Sequence, residues 1–238
     1  MKLFRFFLVG TLCAAFSLHV QAQTISVNFA EDDGGQARAN QTLLPGDLAG
    51  ANGYEAVNWN NALFSTSSMS DLIDNSGSTT SASVSWTANN GWGDGTANSD
   101  ANAGLPNAKL QRGYVDDTGA GNTATINVTN IPYAIYDLVL YFSSDGFGEL
   151  HGSFQVNGQA FGNLGQIIGW QTEPTLEIGR NVLVLNGLTS DSLEIIGTRE
   201  FGVSRGSISG LQIVQVPEPG SALLGVLAVG ALVVRRRR

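Results

Sequence analysis

Cysteine, histidine and charge are all scarce in this 238-residue chain, and each shortage excludes a class of chemistry. The one cysteine, Cys13, lies in an N-terminal apolar run. A body trimmed of that run has no disulfide, no thiol nucleophile and no thiolate metal site. Beyond residues 1–22 His151 is the single histidine, and one imidazole cannot build a multi-histidine metal centre within a chain. Charged residues make up 13% of the total, about half the usual share. Half of the twelve basic residues sit at the two ends, as Lys2, Arg5, Arg235, Arg236, Arg237 and Arg238. Of the twenty acids only Glu218 lies there, so residues 23–216 carry 6 basic and 19 acidic side chains, net −13. Such a body repels nucleic acid and anionic lipid. It also lacks a sustained 3.6-residue apolar stripe and any fixed-period repeat, which argues against helical bundles, solenoids and propellers.

What the ends do contain is distinctive. Residues 1–22 read as a signal peptide: Lys2 and Arg5 give a positive start, 6–16 is a short apolar run, and Val20-Gln21-Ala22 places small residues for signal peptidase. Cleavage is expected between Ala22 and Gln23. At the other end, Pro217-Glu218-Pro219 precedes fifteen uncharged residues, 220–234, and then Arg235, Arg236, Arg237 and Arg238. Fifteen residues of helix cover roughly 22 Å, short of the ~30 Å hydrocarbon core. The flanking prolines and snorkelling arginines bring the segment near spanning length. The arginines favour the cytoplasmic side, which leaves 23–216 across the membrane. This tail resembles the PEP-CTERM sorting signal of Gram-negative bacteria. The resemblance implies export, a membrane-anchored intermediate, processing by an exosortase-type enzyme, and a place on the cell surface or in the extracellular polysaccharide matrix of a biofilm. Three segments follow: signal peptide 1–22, body 23–216 and sorting signal 217–238.

The body reads as short strands. Residues 24–29, 81–87 and 123–129 alternate apolar with hydroxyl or amide side chains, the pattern of a strand with one core face and one wet face. Residues 137–142 and 182–185 are continuous apolar runs that suit central strands. Further strands are expected at 154–156, 193–196 and 211–216. Asn157-Gly158 and Asn186-Gly187 carry tight-turn chemistry. Residues 65–74 suit either a helical turn or a strand entering a turn at Asn75-Ser76-Gly77. Nine or ten strands of this kind predict one all-β domain, an antiparallel two-sheet sandwich. The stretches ISVNF (25–29), VNWNN (57–61), YDLVLYFSS (136–144), FQVNG (154–158) and ISGLQIV (208–214) resemble a jelly-roll sandwich of the galactose-binding-like carbohydrate modules. That resemblance implies a fold more than a ligand.

Chemistry is hard to place. Ser143, Ser144, Asp145, Glu149 and His151 crowd one glycine-rich stretch, but no nucleophile-elbow pattern accompanies them. His151 reads better as a surface strand residue. Glycoside hydrolysis needs two carboxylates roughly 5–10 Å apart across a cleft, and spacing along the chain selects no pair. Asp32-Asp33 and Asp116-Asp117 read as solvated turns. Residues 31–35 and 94–100 cluster oxygens that calcium favours, without the EF-hand spacing, and no other cofactor is called for. For a sugar, an exposed ring with polar neighbours is the recognisable platform. Trp92, flanked by Asn90 and Asp94, fits best. Trp86 alternates with Val84 and reads as core, Trp59 as platform or loop plug, and Trp170 as packing.

The expectation is an exported, non-catalytic surface or matrix protein with weak glycan binding. A glycan-active hydrolase or lyase is the alternative. Ice binding ranks last, since Thr123, Thr125 and Thr129 supply only one short row. The first consequence is testable directly. Terminal sequencing of exported protein should begin at Gln23, and a mature product that retains Cys13 contradicts the cleavage assignment.

Overall fold

The computed structural model describes residues 22–32, 38–93, 104–117, 121–144, 150–161, 175–199 and 204–217. Both proposed end segments, apart from Ala22 and Pro217, therefore lie outside the described residues. In chain order the strands are β1 (Thr24–Ala30), β2 (Asn60–Leu63), β3 (Ser68–Met69), β4 (Ser83–Thr87), β5 (Asn90–Gly93), β6 (Gly113–Asp116), β7 (Thr123–Thr129), β8 (Tyr136–Tyr141), β9 (Leu150–His151) and β10 (Ser153–Val156). They continue with β11 (Gln159–Phe161), β12 (Val182–Leu188), β13 (Leu193–Thr198), β14 (Ser204–Arg205) and β15 (Gly210–Gln215). One helix, α1 (Pro106–Arg112), runs directly into β6.

Two sheets form the expected sandwich. One has five strands in the order β12-β8-β15-β1-β2, the other six in the order β11-β10-β13-β7-β4-β3. Alternation decides which side chains meet between them. Ile25, Val27, Phe29, Leu138, Leu140, Phe142, Leu211 and Ile213 face in from the first sheet. Val84, Trp86, Ile126, Val128, Phe154, Val156, Leu193 and Ile195 face them from the second. The six-stranded sheet keeps its wet outer face, with Ser85, Thr87, Thr123 and Thr129 exposed. Trp86 is core, edge-on to Phe29 at 5.3 Å.

The five-stranded sheet departs from the expected pattern, because both of its faces are buried. Its outer face carries Val139, Tyr141 and Val182, and these pack under Leu43, Ala49, Ala51 and Trp59 of the long β1–β2 connection, with Leu110 of α1 and Leu176. Trp59 is therefore a plug: it is buried, its Nε1–H donates to Ala56 O at 2.9 Å, and its ring meets Tyr141 edge-on. The cover also buries the polar residues of β1. Thr24, Ser26 and Asn28 alternate as expected but do not face water. Instead they hydrogen-bond: Asn28 Nδ2 donates to Gln41 O at 2.7 Å, and Gln212 Nε2 donates to Ser26 Oγ at 3.0 Å.

Three local expectations are corrected. First, the sandwich is antiparallel as expected except at one edge, where β2 runs parallel to β1; β14 and β9 pair in parallel in a separate two-stranded sheet. A return connection of some thirty residues lets the chain re-enter alongside β1 in the same direction. Second, Asn186-Gly187 makes a bulge inside β12 rather than a hairpin: the register shifts between Leu185 and Leu188. Gly187 takes φ 71°, and its N–H donates to Asp137 Oδ1 at 2.9 Å. Third, α1 exists without an apolar stripe, because its buried face consists of Ala108, Leu110, Gln111 and Arg112. Asn157-Gly158 does form the tight hairpin β10–β11, with φ 51° and 75° at the two positions. Residues 64–77 realise both options in turn, as a 3-10 turn at Phe64–Thr66, strand β3, and a turn in which Gly77 N–H donates to Asp74 O.

Two buried tyrosines separate a used hydroxyl from an idle one. Tyr141 Oη accepts from Ala51 N–H at 3.2 Å and donates to Gln212 Oε1, whereas the Tyr133 hydroxyl has no hydrogen-bond partner. Removing one partner of a buried pair costs about 1–3 kcal/mol, while removing an unpaired buried polar atom does not. Tyr141→Phe should lower the unfolding free energy, read by denaturant titration, by that amount, and Tyr133→Phe should leave it unchanged or raise it.

Candidate functional site

The register of the two sheets defines two poles. Thr24, Tyr136 and Gln215 lie together at one, because Thr24 pairs with Val214 and Gln215 with Tyr136. Ala30, Gly210 and Tyr141 mark the other. The candidate side chains collect at this second pole, on the β5–β6 ribbon.

Glycine explains why the ribbon lies where it does. A methyl at Gly91 would sit 2.1 Å from Phe64 Cγ, and one at Gly113 would sit 2.3 Å from Phe29 O. Gly93 lies equally close to the Gln41 amide. The ribbon's inner face is thus glycine, plus Val115 in the core, so its backbone can press against the end of β1. Gln41 completes the clamp, its Oε1 accepting from Glu31 N–H at 2.7 Å.

Cross-strand partners share a face, so the other side of the ribbon pairs Trp92 with Tyr114 and Asn90 with Asp116. Trp92 is half-buried and stacks on Tyr114, with ring centroids 5.6 Å apart and planes 25° apart. Asn90 is half-buried as well. The structure therefore brings two of the three sugar-platform candidates onto one face, and Asp94 lies outside the described residues. Tyr114 was not singled out in the sequence. The alternation Gly91-Trp92-Gly93 was a signal for it, since flanking glycines mark a strand pressed against its neighbours.

Asp116 and Asp117 correct a second expectation. They are not solvated: each is 0% exposed. They continue a strand, Gly113-Tyr114-Val115, whose Val115 exchanges hydrogen bonds with Ile208, and this carries both acids into the pole. The Asp117 carboxyl is pushed up to about 6. Burial is the largest cause, followed by the charge of the neighbouring Asp116. The amides of Arg199 and Gly206 pull the other way without closing a well-formed hydrogen bond. Two adjacent carboxyls sealed from water do not flank the open cleft that glycoside hydrolysis requires.

The remaining candidates are spread out. Ser143 is buried and its hydroxyl donates to Gln111 O at 2.6 Å, so its proton points at a carbonyl. Ser207 Oγ in turn donates to Ser143 O at 2.5 Å. His151 lies on strand β9 as expected, in register with Arg205. Asp145, Glu149 and Trp170 lie outside the described residues. Of the oxygen clusters considered for calcium, Glu31 pairs with Arg38 at 2.7 Å and Asp32 accepts from Ser65 Oγ at 2.5 Å. Among the described residues no three His, Cys, Asp or Glu side chains converge on one point, and no helix is long and apolar enough to cross a membrane.

No family model matches the chain, and no curated protein does. Solved structures show distant likeness. The extracellular domain of ANXUR2 from Arabidopsis thaliana is similar over 83% of this chain and 50% of its own length, at 12% identity and a TM-score of 0.45. The Bacillus subtilis protein YXIM is similar over 81% of this chain and 40% of its own, at 11% identity and a TM-score of 0.37. An exo-beta-1,3-galactanase from Phanerochaete chrysosporium is similar over 60% and 32%, at 17% identity and a TM-score of 0.28. The chain spans half or less of each of these structures. Resemblance at this level is to β-rich shape, so the functional reading rests on the chain's own residues.

The ribbon's dependence on glycine is open to a direct test. Gly91→Ala drives a methyl into the Phe64 ring, and overpacking of this kind costs about 1–3 kcal/mol. The variant should unfold at lower denaturant and show altered near-ultraviolet circular dichroism from the Trp92–Tyr114 pair.

Proposed function

We propose that the chain is an exported, non-catalytic β-sandwich of the cell surface or polysaccharide matrix, delivered through its C-terminal tail and carrying a weak glycan-binding platform at Trp92. The observation that supports this reading best is the placement of the body's two ends. Gln215 N–H donates to Gln23 O at 2.8 Å, and Val216 N–H donates to Ile135 O at 3.0 Å. The proposed leader junction and the proposed sorting tail thus leave the same pole side by side. Pro217, the first residue of the tail, follows at once and cannot donate to a strand.

A body held by that pole presents the opposite one outward. Seven residues of β1 separate the poles, roughly 20 Å of strand. Trp92 and Asn90, both half-buried, lie on the far side, and this reading assigns sugar contact to their exposed parts. Signal peptidase, an exosortase-type enzyme and extracellular polysaccharide are the partners this reading requires. The membrane is a partner only through residues 220–234 before processing, and nucleic acid is not one.

Removing 217–238 should leave a folded body that is secreted without membrane retention or tail processing. Neutral residues in place of Arg235, Arg236, Arg237 and Arg238 should weaken retention ahead of processing. Unchanged location and processing would count against the sorting role. For the platform, Trp92→Ala should reduce retention on native matrix polysaccharide. Undiminished retention, or a loss matched by a large drop in melting temperature, assigns Trp92 to packing on Tyr114 alone.

A further inference from the structure

The pole from which the tail departs carries an apolar loop. Residues 130–135 join β7 to β8, and Ile131 and Tyr133 are buried in the core between the sheets. Ile131 N–H donates to Asp191 O at 2.9 Å, and Ser81 Oγ donates to Asn130 O at 2.9 Å, so the loop has a fixed base. Pro132, Ala134 and Ile135 stand out from that base into solvent, Ile135 at 37% exposure. The tail leaves from the same spot, because Val216 N–H donates to Ile135 O. The segments gathered at this pole, 22–24, 71–82, 129–137, 188–193 and 214–217, contain none of the body's six basic residues. Their acids are Asp71, Asp74, Asp137 and Asp191.

We propose that this pole rests on the bilayer while the chain is tethered, with Pro132, Ala134 and Ile135 in the headgroup layer of zwitterionic lipid. This placement rests on reading 220–234 as the membrane-spanning segment. Only Pro217, Glu218 and Pro219 separate Val216, which is fixed to the body, from Gly220, where the apolar run begins. Four residue steps reach at most roughly 14 Å when fully extended. The headgroup layer takes about 5–8 Å of that reach. As a helix the run would be about 8 Å shorter than the hydrocarbon core, so spanning draws Gly220 inward and uses more of the linker. Little slack then remains to hold the pole off the headgroups. The 130–135 loop, bonded to Val216, is the part of the body brought nearest to them.

The chemistry of the loop suits that place. Its exposed apolar side chains gain by leaving water for the boundary between headgroups and acyl chains. Pro132 brings no N–H that would lose a water partner there. Four acids without a cation disfavour an anionic surface, so a zwitterionic headgroup layer is the one this pole tolerates. Ile131, Tyr133 and Tyr136 anchor the loop and the start of β8 in the core. Contact at the loop would therefore set the orientation of the whole sandwich and keep the opposite pole away from the membrane.

The test uses the exported chain with its tail intact, in a Cys13→Ser background, reconstituted into phosphatidylcholine nanodiscs. A nitroxide is placed at Ala134→Cys or, as a control, at Thr87→Cys. Thr87 is exposed and pairs with Thr125 at the end of β4 remote from the tail. By electron paramagnetic resonance the Ala134 label should lose accessibility to a water-soluble nickel complex and gain accessibility to oxygen on entering the discs. The Thr87 label should stay open to nickel. A long Gly-Ser insertion after Pro219 should return the Ala134 label to water, and a label that stays in the lipid despite the insertion overturns the short linker as the cause. A chain that does not enter the discs removes the spanning reading and this placement with it. A chain that enters them while its Ala134 label remains as open to nickel as the Thr87 label overturns this placement alone. So does dipolar broadening between Ala134 labels in the discs, because a second copy rather than lipid would then cover the loop.

Discussion

The Tyr141 hydroxyl, held between the Ala51 amide and Gln212 on the outer face of the five-stranded sheet, stands for the constraint on which most of this structure depends. That sheet is dry on both sides. A dry face leaves no water to satisfy polar groups, so each one placed there needs a protein partner. Gln212 therefore reaches Ser26, Asn28 reaches Gln41 and Asn61, and Asn60 donates to Ser26 O and Ile73 O. These bonds fix how the long connection between β1 and β2 lies over the sheet. Leu43, Ala49, Ala51 and Trp59 then seal it with apolar surface.

The two sheets differ in how plainly they were written in the chain. Residues 123–129 alternate threonine and asparagine with Ala124, Ile126 and Val128, and that period survives because water covers one face of β7. Residues 137–142 announce a strand buried on both sides for the complementary reason. β1 misleads, since Thr24, Ser26 and Asn28 look like a wet face and are dry only because distant residues cover them. Nothing within seven residues encodes a cover that begins a dozen positions later. α1 is hidden by the same physics. Gln111 and Arg112 form part of its buried face, so its period cannot be seen in hydrophobicity.

At the pole that carries β5 and β6 the same reasoning separates what pattern reveals from what only packing reveals. Trp92 stands out as an aromatic among amides and glycines, a composition that suits a loop, whereas residues 90–93 form strand β5. Its partner Tyr114 lies twenty-two positions away and is joined to it by register, which composition does not carry. Asp116 and Asp117 look like ordinary turn residues because adjacent acids usually are. What buries them is the bridge between Val115 and Ile208, which draws the end of β6 under the start of β15. A glycine at 206 and another at 197 make room for that approach. The sequence shows both glycines but not that they face each other.

The placement of β15 adds a mechanical argument to the proposed tethering. This strand lies between β8 and β1 and is hydrogen-bonded to both, so it is the interior strand from which the tail departs. Tension applied at Pro217 would pull β15 along its own axis. Bonds to β8 and β1 run across that direction, so they would be loaded together rather than one at a time. An edge strand such as β2 or β12 would share such a load with only one neighbour. A tail attached to the interior strand, beside the end of β1, would let a body without disulfides bear the proposed anchor through hydrogen bonds and the packing of Leu211 and Ile213 into the core.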